Sequence, residues 1–168
     1  MEPTTDVLFG LGANVGHPLR QLAEAVDALA ELVEGLAVSS IYRTEPVGFA
    51  GQPDFFNLVA RGVTALAPAE LLRRVLVLEA WMGRERTFRN APRVIDIDLL
   101  AYGALVLETP SLTLPHPGMP TRGFVLHPLA EIAPEWVHPV LGKTARELLA
   151  AAPPLGRVER VGTFARRG

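Results

Sequence analysis

The octapeptide RVIDIDLL, Arg93 to Leu100, sets two aspartates one residue apart inside an otherwise aliphatic run. An unpaired carboxylate in a core is costly, so Asp96 and Asp98 must be solvated, neutralised, paired or bound to metal. Side chains along a strand alternate faces. In a strand from Val94 to Ala101, Val94, Asp96, Asp98 and Leu100 share one face, and Ile95, Ile97, Leu99 and Ala101 share the other. The apolar set belongs under helices. Both carboxylates then point to the helix-free face, close enough to share a cation. Two hard oxygen ligands on a rigid strand suit Mg2+, which keeps waters and takes further ligands from substrate phosphates. The bland alternative is a pair of solvated polar residues on an open sheet.

The preceding segment supplies the opposite charge. GRERTFRNAPR, Gly83 to Arg93, carries Arg84, Arg86, Arg89 and Arg93 against the single Glu85, in a chain of net charge −2. Guanidinium forks grip phosphate oxygens in pairs. Carboxylates for Mg2+ beside arginines for oxygens fit a metal–triphosphate complex, and an arginine loop that closes would exclude water. The alternative is a solvated charge run. No G-x-x-x-x-G-K-[ST] and no G-x-G-x-x-G is present. FGLGANVG reads as a tight strand-to-helix turn, so any ATP is held without a Walker loop.

A flat polar ring has candidate partners. In a strand from Asp54 to Val63, Phe55, Asn57 and Val59 share a face, and Phe56, Leu58 and Ala60 share the other. An aromatic beside an amide offers stacking and edge hydrogen bonds to a planar heterocycle. Just before it, TEPVGFAGQP has too many glycines and prolines for a regular element. Thr44, Pro46, Val47 and Gly48 there offer backbone donors and acceptors. LPHPGMPTRGFVLHPL, Leu114 to Leu129, reads as an irregular proline-rich loop in which His116 and Arg122 would meet phosphate and Phe124 would face Phe55. Phe55 as plain core and the histidines as structural groups are the alternatives.

The elements that must position these residues follow from periodicity. Asp6 to Leu11 reads as a strand, Gly12 to Gly16 as a turn, and Pro18 to Val33 as a helix with Pro in its first turn. Leu36 to Tyr42 reads as a second strand and Asp54 to Val63 as a third. Pro68 to Met82 reads as a helix ended by Gly83, and Val94 to Ala101 as a fourth strand. The order β-α-β-β-α-β predicts an α+β, ferredoxin-like antiparallel sheet with helices on one face. A C-terminal extension follows, helix-like over Thr144 to Ala152, with a peripheral, exposed tail after Pro153.

Length and composition set the bounds. The chain has 168 residues, enough for one domain, 1–168, with a real core. It has no cysteine, which excludes disulfides, thiolate zinc sites and a thiol nucleophile. A net charge of −2 gives no global attraction to nucleic acid or membrane. The N-terminus, MEPTTDVLFGLG, does not read as a signal peptide, and no apolar run approaches the roughly 18 residues of a membrane span. A cytoplasmic monomer acting on small molecules is expected.

Several blocks together resemble the 6-hydroxymethyl-7,8-dihydropterin pyrophosphokinases, from about Leu8 to Pro139. The most specific is RNAPRVIDIDLL, Arg89 to Leu100, supported by LGANVG, SSIYRTEPVG, QPDFFN and LTLPHPGMPTRGFVLHPLAEIAP in that order. The resemblance implies transfer of pyrophosphate from ATP, as co-substrate, to the pterin hydroxymethyl oxygen, with release of AMP and two Mg2+ ions. It implies that Asp96 and Asp98 bind metal, that Arg84, Arg93, His116 and Arg122 contact phosphates, and that Arg86 lies on a closing loop. Phe55 and Phe124 would sandwich the ring, with Asn57 and the backbone around Thr44 and Val47 at its edge. The sequence departs from the family pattern at Thr87, Asn90, Ala91, Ser111 and Pro117, and has Phe55 in place of a tyrosine. From the residues alone, two other classes stand beside this one: an Mg2+-dependent nucleotidyltransferase and a non-catalytic ferredoxin-like binding module. The acidic pair argues against RNA as the module's ligand.

Overall fold

The computed structural model describes residues 3–45, 53–83, 94–154 and 157–164. Among the described residues, eight strands and four α-helices run in the order β1 (Thr5–Ala13), α1 (Pro18–Leu32), β2 (Glu34–Val38), β3 (Ile41–Thr44), β4 (Phe55–Thr64), α2 (Pro68–Met82), β5 (Asp96–Tyr102), β6 (Leu107–Glu108), β7 (Thr113–Leu114), α3 (Gly123–Ile132), α4 (Ala145–Ala151) and β8 (Val158–Gly162). The main sheet has the order β5-β1-β4-β3-β8, with β2 also on β4, and every pairing in it is antiparallel. This is an α+β fold. Among the described residues no helix is long and apolar enough to cross a membrane.

Both long helices start on a proline that fits the first turn, and each buries one stripe. Leu22, Ala25, Val26 and Leu29 of α1, with Leu71 and Val75 of α2, pack on Val7, Phe9, Leu11, Leu58, Ile97 and Leu99 of the sheet. Each such Leu contributes about 1.5–3 kcal/mol of burial. α1 has no side-chain cap of the usual kind. Instead Gln21 Oε1 accepts the His17 N–H at 2.8 Å, while its amide donates to the carbonyls of Val15 and Val94. One side chain thus ties the turn after β1 to the chain entering β5.

The structure departs from the sequence reading in four places. First, the segment from Leu36 to Tyr42 is two strands, because from Val38 to Tyr42 the chain takes four steps while β4 takes three, from Ala60 to Asn57. The extra residue falls at Ser39–Ser40, whose polar groups fill the gap: Ser39 Oγ accepts the Val59 N–H at 3.0 Å, and the Ser40 N–H goes to Glu131 at 2.9 Å. Second, β1–β5 pairing jumps from Leu8↔Ala101 to Phe9↔Leu99, so Leu100 is a bulge. Ala101 therefore joins Leu100 on the second face instead of Ile97 and Leu99 under α1 and α2. Third, the segment read as a proline-rich loop becomes a helix, α3, at Gly123. Pro128 forgoes one backbone bond inside it, but Val125, Leu126 and Leu129 are buried against Leu8 and Val59. With α4, capped by a reciprocal Thr144–Glu147 box, α3 covers part of the face expected to carry no helix. Fourth, the tail after Pro153 forms β8 on the sheet edge, although its side chains are largely exposed.

A polar network clamps α3 to β3. Glu131 Oε1 accepts from the Tyr42 hydroxyl at 2.6 Å, and Oε2 accepts from the Ser40 N–H and Oγ at 2.9 and 3.0 Å. Burial, then the hydrogen bond to Glu131 and its charge, push the Tyr42 phenol up from 10.0 to about 12. Burial would raise the Glu131 carboxyl, but the bonds from Tyr42 and Ser40, with Arg160 nearby, outweigh it and hold it below the usual range.

The signs follow from linkage. A raised phenol pKa gives stability that is complete below pH 10 and gone above about pH 12. A lowered carboxyl pKa gives stability present above the ordinary value of 4.5 and lost as pH falls below it. In an ultraviolet titration of the folded protein, one of the two tyrosines should ionise with a midpoint near about 12, and Tyr42→Phe should remove that step. Two ordinary midpoints would contradict the clamp.

Candidate active site

The end of the second face that α3 and α4 leave open is a cavity of about 360 Å³. Its floor is the sheet: Gly10 and Gly12 from β1, Asp96 and Asp98 from β5, and Phe55, Asn57 and Leu58 from β4. Thr44 and Glu45 close one side, and Arg122, Phe124 and Val125 at the start of α3 close the other. Its volume suits a small-molecule site.

Register explains why these residues meet. Gly12 pairs with both Asn57 and Asp96, and Gly10 pairs with Asp98. Thr44 pairs with Phe55 and Tyr42 with Asn57. The acids on β5 and the amide and aromatic on β4 thus flank β1, with Asp96 and Asn57 level with Gly12. Gly12 is needed for space. A Cβ on Gly12 would lie 2.5 Å from Asn57 Oδ1, so the carboxamide occupies the room a side chain would take. The same happens at the rim: a Cβ on Gly118 would overlap the Arg122 guanidinium, which stacks 5.9 Å above the Phe124 ring centre.

The electrostatics divide the cavity. Asp96 and Asp98 are exposed, while Asn57 and Thr44 are 8% and 6% exposed. His116 is outside the described lining but close to it, held by its N–H to the Leu100 carbonyl at 2.8 Å. Burial lowers the imidazole pKa most; Asp98 raises it and Arg122 lowers it further, for a net shift downward. The ring is therefore mainly neutral at pH 7. Its Nδ1 accepts the Gly118 N–H at 3.1 Å, so the proton sits on Nε2, which becomes a donor.

Can these residues hold a metal ion? No cluster of three or more His, Cys, Asp or Glu ligands occurs among the described residues. A closed zinc or calcium cage is not what they build. Two exposed carboxylates lining one cavity do fit Mg2+, which binds through one or two acids and substrate phosphates.

Thr44, Phe55, Asn57, Asp96, Asp98, Arg122 and Phe124, all singled out from the sequence, line this one cavity, and His116 is adjacent. Arg84, Arg86, Arg93, Pro46, Val47 and Gly48 lie outside the described residues. Gly10, Gly12 and Glu45 were not anticipated. The sequence reading ends the strand at Leu11 and starts a turn at Gly12, yet β1 runs on through Gly12 to Ala13. The alternation of Gly10 and Gly12, G-x-G at strand spacing, was the available signal for a cleared sheet face.

Comparison with known proteins gives one family. The model for 7,8-dihydro-6-hydroxymethylpterin-pyrophosphokinase matches residues 8–134. The 2-amino-4-hydroxy-6-hydroxymethyldihydropteridine pyrophosphokinase of Pseudomonas aeruginosa is 43% identical over 157 residues, covering 92% of this chain and 96% of the relative. The enzyme of the same name from Methylorubrum extorquens is 45% identical over 159 residues, covering 94% and 99%. Among solved structures, wild-type Plasmodium falciparum HPPK-DHPS with pteroate superposes with a TM-score of 0.69 at 16% identity, which speaks to the fold. The match covers 89% of this chain but only 42% of that longer one.

Gly12→Ala tests the geometry. The displaced carboxamide is the end of a flexible side chain, and removing a strand glycine regains about 0.5–1 kcal/mol. Urea unfolding should therefore change by no more than about 1 kcal/mol, while the NMR signals of the Asn57 side-chain amide move. An unshifted amide would mean that Asn57 does not depend on the missing Cβ.

Proposed function

This chain belongs to the 7,8-dihydro-6-hydroxymethylpterin-pyrophosphokinase family, and we infer from its cleft how its own residues serve that reaction. The chain transfers pyrophosphate from ATP to the hydroxymethyl group of 6-hydroxymethyl-7,8-dihydropterin, in folate synthesis. The pterin hydroxyl oxygen forms a bond to the β-phosphorus. The bond from that phosphorus to the α,β-bridging oxygen breaks, the hydroxyl proton is released, and AMP leaves. The observation that carries the site assignment is that one cavity joins an acidic pair on β5 to an aromatic–amide pair on β4.

Phe55 and Phe124 stack the pterin, the Asn57 carboxamide bonds its edge, and backbone groups from Thr44 through Pro46, Val47 and Gly48 complete that edge. Arg122, His116 through Nε2–H, and Arg84 and Arg93 hold phosphate oxygens. Arg86 belongs to the loop that closes over them. Mg2+, two ions by analogy with the family, would be held by Asp96 and Asp98 and would supply neutralisation of the polyphosphate charge. The protein's own part is positioning: holding the hydroxyl in line with the β-phosphorus is worth up to about 7–11 kcal/mol of the barrier. Preorganised guanidinium donors add to it as charge develops. The strand order β5-β1-β4-β3, with α1 and α2 on one face, supports the ferredoxin-like reading of the core. The same reading takes 1–168 as a single cytoplasmic domain that acts as a monomer.

Incubation with ATP, Mg2+ and the reduced pterin should yield AMP and pterin diphosphate. Pyrophosphate as the released product would instead indicate nucleotidyl transfer. Asp98→Asn leaves an exposed strand position polar and should fold normally, yet lower kcat by about a thousandfold, the scale of losing one preorganised charge-stabilising group. A variant within tenfold of wild type at saturating Mg2+ would remove Asp98 from this role.

A further inference from the structure

β8 lies beyond residues 8–134, the part the family model matches, yet contacts from it and from the residue before it lead toward the ring end of the cleft. It pairs with β3 so that Val158 sits opposite Thr44, Glu159 opposite Arg43 and Arg160 opposite Tyr42. Just before it, Arg157 Nε is 3.5 Å from Oε1 of Glu45, which lines the cavity beside Thr44. Glu159 is 3.6 Å from Arg43, and the same guanidinium is 3.2 Å from Asp54, the residue before Phe55. Arg160 Nε donates at 2.8 Å to the fully buried Ser40 hydroxyl, which donates onward to Glu131 of α3. The three side chains thus reach the end of β3, the start of β4 and the helix whose first turn carries Phe124.

We propose that β8 is a positioning strand for the pterin end of the cleft, fixing through Arg157, Glu159 and Arg160 the placement of Thr44, Phe55 and Phe124. Stacking between two rings depends on their separation and tilt, so small shifts of β3, β4 or α3 change ring affinity. The nucleotide end rests on β5 and the His116 segment, which β8 does not pair with. The ion pairs of Glu159 and Arg157 add little to stability, because their side chains are largely exposed. Their effect is therefore on where the slot sits, not on whether the chain folds.

The inference rests on the pterin reading above, and the test separates the two. In the full chain, Arg157→Ala/Arg160→Ala is compared with wild type and with Arg157→Lys/Arg160→Lys. Each contact uses one guanidinium nitrogen, so an ammonium can replace it. Pterin affinity is read by ring fluorescence, nucleotide affinity with a non-hydrolysable ATP analogue, and turnover by AMP release. The alanine pair should weaken pterin binding about five- to tenfold, the scale of one charge-assisted hydrogen bond and one exposed pair. Its KM for pterin should rise by the same factor, with kcat and nucleotide affinity within about twofold, and the lysine pair should recover most of the loss. Unchanged pterin binding, or equal weakening for both ligands, overturns the positioning role while leaving the reaction intact. Wild type that binds no pterin overturns both.

Discussion

Two carboxylates on one face of one strand repel each other unless solvent or a cation lies between them, and the second face of the sheet is organised around that fact. Asp96 and Asp98 must stay wet, so the layer of α3 and α4 cannot extend over them. It stops at Leu8, Val59, Leu100 and Ala101, which it buries. The uncovered remainder becomes the cavity. Gly10 and Gly12, opposite the two acids, add no side chains of their own to its floor. A residue with a Cβ at position 12 would push the Asn57 amide out of the place it holds.

The covered and open parts of this face are joined by the β5 bulge. An unbroken strand would send Ala101 under α1 and α2. The extra residue at Leu100 turns two successive apolar side chains toward α3 and leaves the acids just ahead of them in register with the glycines. The other face carries no such compromise. There α1 and α2 bury a continuous apolar layer against β1, β4 and β5, which supplies a rigid platform for groups that must be held to within fractions of an ångström.

Polar links then set the tilt of the pieces around the opening. Gln21 ties the turn after β1 to Val94, at the entry to β5. Glu131 ties α3 to Ser40 and Tyr42 at the break between β2 and β3. The Ser39 hydroxyl, which accepts from the Val59 N–H and donates to the Ser40 carbonyl, and Glu131, which accepts the Ser40 N–H, stand in for ladder bonds at the extra residue. Each link joins a piece of the scaffold to an element that lines the cavity.

The sequence alone determined α1, α2 and the helical character of α4, the alternation of faces on β4 and the start of β5, and most of the residues that line the cavity. Those features are local: a proline at a helix start, a period of two or of three to four, an acid pair in an aliphatic run. Tertiary structure decided the split at Ser39–Ser40, the Leu100 bulge, the helix that contains Pro128, and the addition of β8 to the edge. Each depends on a partner far along the chain: β4 for the first, β1 for the second, the Leu8–Val59 surface for the third and β3 for the last. Local preference disfavours proline in a helix and says nothing of register. Burial of an apolar face and pairing with a distant strand outweigh it, and only the folded chain brings those partners together.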